Sequence, residues 1–182
     1  MKALADLLLE GIPVLDLLEI TSSTTTVAQR IQRDQSSVSR IYRHVSQVLN
    51  LDFQKRGNGL YQAQSNQPLL ASLRLASQQM RLALMPSQLR WLHSLDEPLV
   101  LGDLGLRLPP ALPLSGSRQH ERLAALLEGR LLDLVLLSEP PLLPASSALI
   151  SRPVAGERIH ALLRQDLIQT PAIQQVLDLQ SP

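Results

Sequence analysis

The chain has 182 residues, 45% of them hydrophobic, which is enough to bury one sizeable core or two small ones. It contains no cysteine, so disulfides, thiolate zinc sites and cysteine nucleophiles are excluded. The formal net charge is only +1, but there are six basic and two acidic residues between Arg30 and Arg56, against one basic and four acidic residues over positions 1–19. The basic charge is therefore local, as a docking surface for a polyanion requires.

The leucine-rich start contains Asp6 and Glu10, which interrupt any signal-peptide core. No later stretch approaches the ~20 consecutive apolar residues of a membrane span. We therefore expect a soluble, cytoplasmic protein with no membrane partner.

Three helices are predicted at the start of the chain. The first covers Ile12 to Ile20, with Leu15 and Leu18 facing inward at helical spacing. The second is N-capped by one of the hydroxyls at positions 23–25 and has a narrow apolar stripe containing Val27, Ala28 and Ile31. The third begins at about Gln35 and has a continuous apolar face made of Val38, Ile41, Tyr42, Val45, Val48 and Leu49.

The opposite face of the third helix is polar, because "DQSSVSR" (34–40) opens it with hydroxyls, an amide and an arginine. Two helices joined by a short turn, with such a start on the second, are typical of a helix that enters the DNA major groove. Hydroxyls and amides reach phosphates and base edges, and arginine offers a bidentate fork to guanine. Taken singly, a serine-rich start is also typical of helix capping, and scattered arginines of a solvated face.

A small hairpin is predicted after this helix. Gly57, Asn58 and Gly59 form a turn between the strand segments 53–56 and 60–62. The hairpin would present Lys55 and Arg56 to the phosphate backbone.

The segment from Ile12 to about Gly59 resembles, without gaps, the winged helix-turn-helix of LysR-type transcriptional regulators. The resemblance is carried by Val27, Ala28 and Ile31 in the second helix, by Gln35, Ser36, Val38, Ser39 and Arg40 in a "QS.VSR" pattern, and by Leu49, Asn50, Phe53, Gln54 and Arg56 in a "LG..LF.R" pattern. Asn50 replaces the usual glycine and Gln54 an aromatic residue. The residues that we expect to contact double-stranded DNA are Thr25, Gln35, Ser36, Ser37, Ser39, Arg40, Arg43, Lys55 and Arg56.

The segment 68–84 predicts a long helix with an a/d-like apolar stripe of Leu69, Leu73, Ala76 and Met80, continued by Ala83 or Leu84. Leu70, Leu75 and Leu82 lie off the stripe, so the helix has more apolar surface than one intramolecular contact would use. LysR-type proteins place a dimerising linker helix at this position, and the resemblance implies a homodimer, with a tetramer left open. The alternative is an ordinary helix of the C-terminal domain. The following "MPSQLRWLHSLDEP" (85–98) is interpreted as a proline-broken extension with Trp91 as a packing anchor.

The rest of the chain predicts a small α/β layer. Strands are expected at 98–103, 109–117, 131–141, 148–154 and 157–165, with helices at 118–130 and 170–180. The order resembles one lobe of the LysR-type effector-binding domain, with matches at Leu127, Gly129, Leu132, Asp133, Leu134, Leu136, Pro140, Pro141, Pro153, Pro171, Ala172, Leu177 and Asp178. In the family the full domain has two lobes with the effector cleft between them, and this chain is too short for both. A single lobe cannot form a cleft that closes about a hinge, which argues against a small-molecule effector.

The predicted fold class is a mainly α N-terminal winged helix-turn-helix (1–65), a long linker or dimerisation helix (66–95) and a reduced, periplasmic-binding-protein-like α/β lobe (96–182). No catalytic residue, metal or cofactor is predicted, because the four histidines are at least 27 residues apart and "LSGSR" is not a nucleophile elbow. Asp133 lies in an apolar segment where it could be a buried catalytic acid, but strand-end acids are usually capped or solvated. The sequence thus predicts a dimeric, sequence-specific transcriptional regulator; the alternative is an interaction module that heterodimerises with a full-length relative without binding specific DNA itself.

Overall fold

The computed structural model describes residues 2–94, 108, 110–113, 120–144, 147–154 and 159–177. These residues are mainly helical and form two small sheets. The chain forms two compact units, the first made essentially of the residues up to Met80 and the second beginning at Arg81. No helix in the described ranges is long and apolar enough to cross a membrane.

The first unit opens with a helix that is longer than the sequence predicted. It consists of α1 (Lys2–Asp6), a π-helical turn (Leu7–Gly11) and α2 (Ile12–Thr21). The prediction for Ile12 to Ile20 is confirmed, and Leu15 and Leu18 are fully buried. Helix α2 is buried on almost every side, so its inward-facing residues are more numerous than the predicted Leu15 and Leu18.

Helices α3 (Thr24–Arg30) and α4 (Gln35–Val48) follow, each with a capped N-terminus. The Ser23 hydroxyl accepts the Thr26 N–H at 3.2 Å, as the capping prediction required. Helix α4 ends at Val48, and Asn50, two residues later, has a left-handed φ of 49°; the Leu51 N–H closes the helix end on the Ser46 carbonyl at 2.7 Å. Asparagine therefore replaces the usual glycine at no evident cost to the helix end.

The predicted apolar face of α4 is correct except at its end. Val38 and Val45 are buried, Leu49 is 9% exposed, and Ile41 and Tyr42 are half-buried. Val48, however, is 61% exposed. At 100° per residue it lies on the edge of the stripe, in the last turn before the chain reverses at Asn50.

The predicted hairpin is confirmed, with shorter strands. β1 (Gln54–Lys55) pairs antiparallel with β2 (Tyr61–Gln62), Lys55 opposite Tyr61. Gly59 has a φ of 79°, so a residue with a side chain would be strained at this turn. Helix α5 (Gln67–Leu84) follows and confirms the predicted long helix.

The second unit contains a four-stranded sheet in the order β3-β4-β6-β5. Its strands are β3 (Trp91–Ser94), β4 (Leu134–Leu137), β5 (Leu149–Val154) and β6 (Ile159–Arg164), and its helices are α6 (His120–Glu128) and α7 (Pro171–Leu177). β3 runs parallel to β4, and β6 pairs antiparallel with both β4 and β5. All four side chains of β4 are buried, so both faces of the sheet are covered there.

The predictions for this unit are only partly correct. Strands β4, β5 and β6 and both helices lie where the sequence predicted them. The proline-broken extension at 85–98 is wrong at its centre, because Trp91–Ser94 forms strand β3 next to the buried strand β4. The strand expected at 98–103 lies outside the described residues, and the described part of 109–117, residues 110–113, is not a strand.

A buried ion pair closes the core of the second unit. Asp133 is fully buried and accepts two hydrogen bonds from Arg81, each 2.8 Å long, and one from the Arg90 N–H at 2.7 Å. Burial would raise the pKa of the Asp133 carboxyl, but the Arg81 guanidinium holds that pKa below its ordinary value. Asp133 is thus ionised and hydrogen-bonded to structural partners, which makes it unsuited to act as a catalytic acid.

Candidate nucleic-acid interface

The candidate interface lies on the first unit and is formed by α4, the start of α3 and the hairpin. Six of the nine predicted DNA-contacting residues are exposed, namely Thr25, Gln35, Ser36, Arg40, Arg43 and Lys55. The other three, Ser37, Ser39 and Arg56, are half-buried. Because Val38 and Val45 anchor the opposite side of α4 in the core, the polar face of this helix has to point outward.

The first serines of α4 are hydrogen-bonded to the residue that caps the helix. Asp34 is the N-cap, and its carboxylate accepts the Ser37 N–H at 2.7 Å and the Ser37 hydroxyl at 2.6 Å. The Ser36 hydroxyl donates to the same carboxylate. The hydrogen bond from Ser36 has the largest effect and those from Ser37 the next; together they hold the pKa of Asp34 well below its ordinary value, so this acid is charged at neutral pH.

Arg40 belongs to the same hydrogen-bond network. Its guanidinium donates to the Ser37 hydroxyl at 3.0 Å, so Ser37 links Arg40 to Asp34. Asp34 was not among the predicted interface residues, although an acid directly before the first helical residue is a recognisable N-cap signal. The network holds the Arg40 fork at the exposed face of α4 before any ligand binds.

Gln35 ties the start of α4 to the start of α3. Its side-chain amide donates to the Thr24 hydroxyl at 2.7 Å. The residue predicted from the sequence to contact DNA is the neighbouring Thr25. Thr25 is exposed and adjacent to this contact. The two helix N-termini therefore meet at one surface.

An aromatic cluster fixes the hairpin to α4. Tyr42 lies 6.3 Å from Phe53 and 5.8 Å from Tyr61 between ring centroids, and Phe53 and Tyr61 stack at 5.8 Å. Burial raises the pKa of the Tyr61 phenol. The Arg43 guanidinium lies 5.9 Å from the centre of the Tyr42 ring while the residue remains exposed. Gln54, which stands where the family has an aromatic residue, is exposed and does not pack the hairpin. The aromatic cluster provides that packing instead.

The two cations of the hairpin differ in what they can do. Lys55 is exposed. Arg56 forms a 2.6 Å ion pair with Asp52, which also accepts the Gln64 N–H at 2.6 Å and the Ser65 N–H at 2.8 Å. The bond from Ser65, followed by that from Arg56, holds the pKa of Asp52 well below its ordinary value. Arg56 thus stabilises the base of the hairpin, and Lys55 is the cation that is open to a phosphate.

Helix α5 has a buried polar face and a partly exposed apolar stripe. Arg74, which is 7% exposed, donates to Asp16 at 2.8 Å and to Glu19 at 2.6 Å, and these bonds fix α5 on α2. The predicted dimer residues lie on the other side: Leu69 is 44% exposed, and Leu73, Ala76 and Met80 are half-buried. Within the protomer the off-stripe Leu70 and Leu82 are the leucines that become buried. The stripe is therefore the apolar surface of α5 that the protomer leaves only partly covered.

Comparisons with known proteins give limited matches. No protein-family model and no curated protein matches the chain. Among solved structures, the chain is similar to Corynebacterium glutamicum OxyR in its oxidized form, with 14% identity, a TM-score of 0.30, and coverage of 80% of this chain and 48% of that one. It is also similar to CrgA, a LysR-type transcriptional regulator from Neisseria meningitidis, with 19% identity, a TM-score of 0.29, and coverage of 80% and 53%. The chain spans about half the length of each of these structures, and at such TM-scores they add nothing to the geometry described above.

Proposed function

We propose that the chain is a sequence-specific DNA-binding transcriptional regulator of LysR-like type that acts as a homodimer. The observation that carries the proposal is the outward face of α4, which exposes Arg40 and Arg43 beside a capped, serine-rich N-terminus while its other face is anchored in the core. Helices α3 and α4 are separated by only four residues, and the hairpin is bound to α4 by aromatic packing. This arrangement supports the proposed winged helix-turn-helix.

In the proposed complex, α4 is the recognition helix and lies in the major groove. Arg40, near its N-terminus, makes a bidentate contact to a guanine edge, with Gln35 and Ser36 beside it. Arg43 and the hairpin residue Lys55 contact phosphates, which fix the register of the helix without reading sequence. The acidic Asp34 at the helix start opposes phosphate there and so favours a base edge over the backbone at this point.

The dimer is proposed to form through the stripe of α5, because one recognition helix grips a half-site too weakly to compete with bulk DNA. The proposed domains remain residues 1–65 for DNA binding, 66–95 for the linker and 96–182 for a reduced effector-binding-like lobe. The end of the linker segment forms strand β3 (Trp91–Ser94), which belongs to the four-stranded sheet of the second unit. A small-molecule effector is not part of the proposal.

The proposed roles of the two arginines predict different losses. Arg40→Ala should weaken the specific complex by about 1 to 3 kcal/mol and relax the preference for one base pair. Arg43→Ala should weaken binding to all sequences alike and lower the slope of log K against log salt by about 1. Fluorescence anisotropy on the selected site and on bulk DNA at several salt concentrations measures both effects.

The matched control is Arg152→Ala, which removes the same charge from an exposed position on β5 of the second unit. It should leave affinity and sequence preference nearly unchanged. If Arg40→Ala and Arg43→Ala gave equal losses on all sequences, the assignment of Arg40 to a base edge would be wrong.

A further inference from the structure

The π-helical turn Leu7–Gly11 has an identifiable cause in the sequence. Proline at position 13 has no N–H and cannot continue a regular helical ladder. The Ile12 N–H bonds to the carbonyl of Leu7 rather than to that of Leu8, its α-helical partner. The carbonyl of Leu8 thereby loses that donor, and the next backbone position that could supply one is Pro13 itself.

A side chain from α5 supplies the missing donor. The Ser77 hydroxyl, on a residue that is 1% exposed, donates to the Leu8 carbonyl at 2.6 Å. One turn earlier on α5, Arg74 bonds to Asp16 and Glu19 of α2. Helix α5 is therefore held on the N-terminal helix on both sides of Pro13, and the contact at Ser77 exists because of the irregular turn.

The same turn touches α4. A Cβ atom added at Gly11 would lie 2.9 Å from the Cγ2 atom of Val45 and 3.2 Å from the Cδ1 atom of Leu7. The first distance is too short for two carbon atoms in contact, so any side chain at position 11 would displace α4 or the turn. Gly11 is helical, with a φ of −66°, so this close approach and not backbone conformation is what requires glycine.

We infer that the Leu7–Gly11 turn is the joint that sets the orientation of α4 relative to α5, with Ser77 and Gly11 as its positioning residues. The inference rests on the proposed function. If α5 forms the dimer and α4 reads the half-site, the angle between these helices determines how far apart the two recognition helices lie. The joint then specifies the separation of the half-sites, and neither Ser77 nor Gly11 needs to touch DNA.

The test compares half-site spacing preferences. Wild-type protein, Ser77→Ala and Ser72→Ala are each offered a pool of duplexes that contain the selected half-site as an inverted pair at every spacing from adjacent to two helical turns. Ser72 is the matched control, since it lies on α5, is exposed, and donates its hydroxyl to the Pro68 carbonyl of its own helix at 3.0 Å. Ser77→Ala should reduce the discrimination between the preferred spacing and its neighbours by about fivefold, the effect of one buried hydrogen bond. Ser72→Ala should keep the wild-type spacing profile.

A second set of variants tests the joint from the α4 side. Gly11→Ala should shift or broaden the preferred spacing, and Gly11→Ala combined with Val45→Ala should restore it, because the shorter side chain frees the space that the new methyl group needs. If Ser77→Ala does not fold, the comparison of Gly11→Ala with the double variant still tests the inference. Rescue of the spacing separates positioning from simple destabilisation, since Val45→Ala alone removes core contacts.

The inference is wrong if the wild-type protein prefers one spacing and Ser77→Ala and Gly11→Ala keep that preference, even with lower affinity. The proposed function would survive that result. If the wild-type protein selects no half-site at all, the proposed function fails, and the inference fails with it.

Discussion

Replacing Asp133 with alanine is expected to destabilise the second unit by about 3 to 5 kcal/mol, because it leaves the Arg81 guanidinium buried without its carboxylate. Arg81 is 1% exposed and Asp133 is fully buried, so the guanidinium would stay shielded from bulk water after its carboxylate partner is removed. The change also removes the acceptor of the Arg90 N–H, which precedes strand β3. Urea unfolding, followed by the fluorescence of Trp91 in that strand, measures the loss.

Two further variants make the Asp133 result specific. Asp166→Ala breaks two ion pairs in the same unit, with Arg130 at 2.5 Å and with Arg164 at 3.0 Å, but the Asp166 side chain is 43% exposed. Its loss should cost no more than about 1 kcal/mol. Arg81→Met combined with Asp133→Ala should recover part of the stability, because no unpaired charge remains buried. Equal and small losses for Asp133→Ala and Asp166→Ala would contradict this account of the buried pair.

Replacing Leu73 with aspartate is expected to convert the protein to a monomer and to abolish most specific DNA binding. Leu73 lies in the middle of the half-exposed stripe formed with Leu69, Ala76 and Met80. In the proposed dimer, the variant loses about 1.5 to 3 kcal/mol of leucine burial and adds the larger cost of desolvating an unpaired charge. Sedimentation velocity at micromolar concentration measures the change in mass.

The control for Leu73→Asp is Ala71→Asp, an exposed position on another side of α5. It introduces the same charge into the same helix and should leave the dimer intact. If Leu73→Asp remained dimeric, the dimer interface would lie outside the stripe of α5. The leucine-rich second unit would then be the next candidate for the interface.

Elements with strong local signals were predictable from the sequence. Helix α4 has a clear three- and four-residue spacing of apolar residues, and the hairpin has glycines that fit its turn. Strand β3 was missed because Trp91–Ser94 is only four residues long and has two apolar residues, so that its strand character comes from pairing with β4. The π-helical turn was not predicted, although proline at position 13 is a local signal for it, because the partner that satisfies its Leu8 carbonyl is Ser77, 69 positions further along the chain.

The exposure of most candidate interface residues could be predicted from the sequence, but their hydrogen-bond partners could not. The sequence identified Arg40, Arg43 and Lys55, which are exposed, because arginine and lysine beside a capped helix are a local pattern. It placed Arg56 with them, although Asp52 occupies its guanidinium, and it omitted Asp34. The polar face of α5 was also missed, since Arg74 is buried only because Asp16 and Glu19 lie opposite it in the folded chain. Ion pairs between distant segments leave no periodic signal in a sequence.

The most direct test of DNA recognition is selection by the wild-type protein from a pool of random duplex DNA at physiological salt. The proposed function predicts enrichment of one dyad-symmetric sequence, with half-sites about one helical turn or a multiple of it apart. That sequence should bind at least about a thousandfold more tightly than bulk DNA. Recovery of unrelated sequences, bound no more tightly than bulk DNA by a dimeric, folded protein, would contradict the proposed function and favour a module that pairs with a full-length relative.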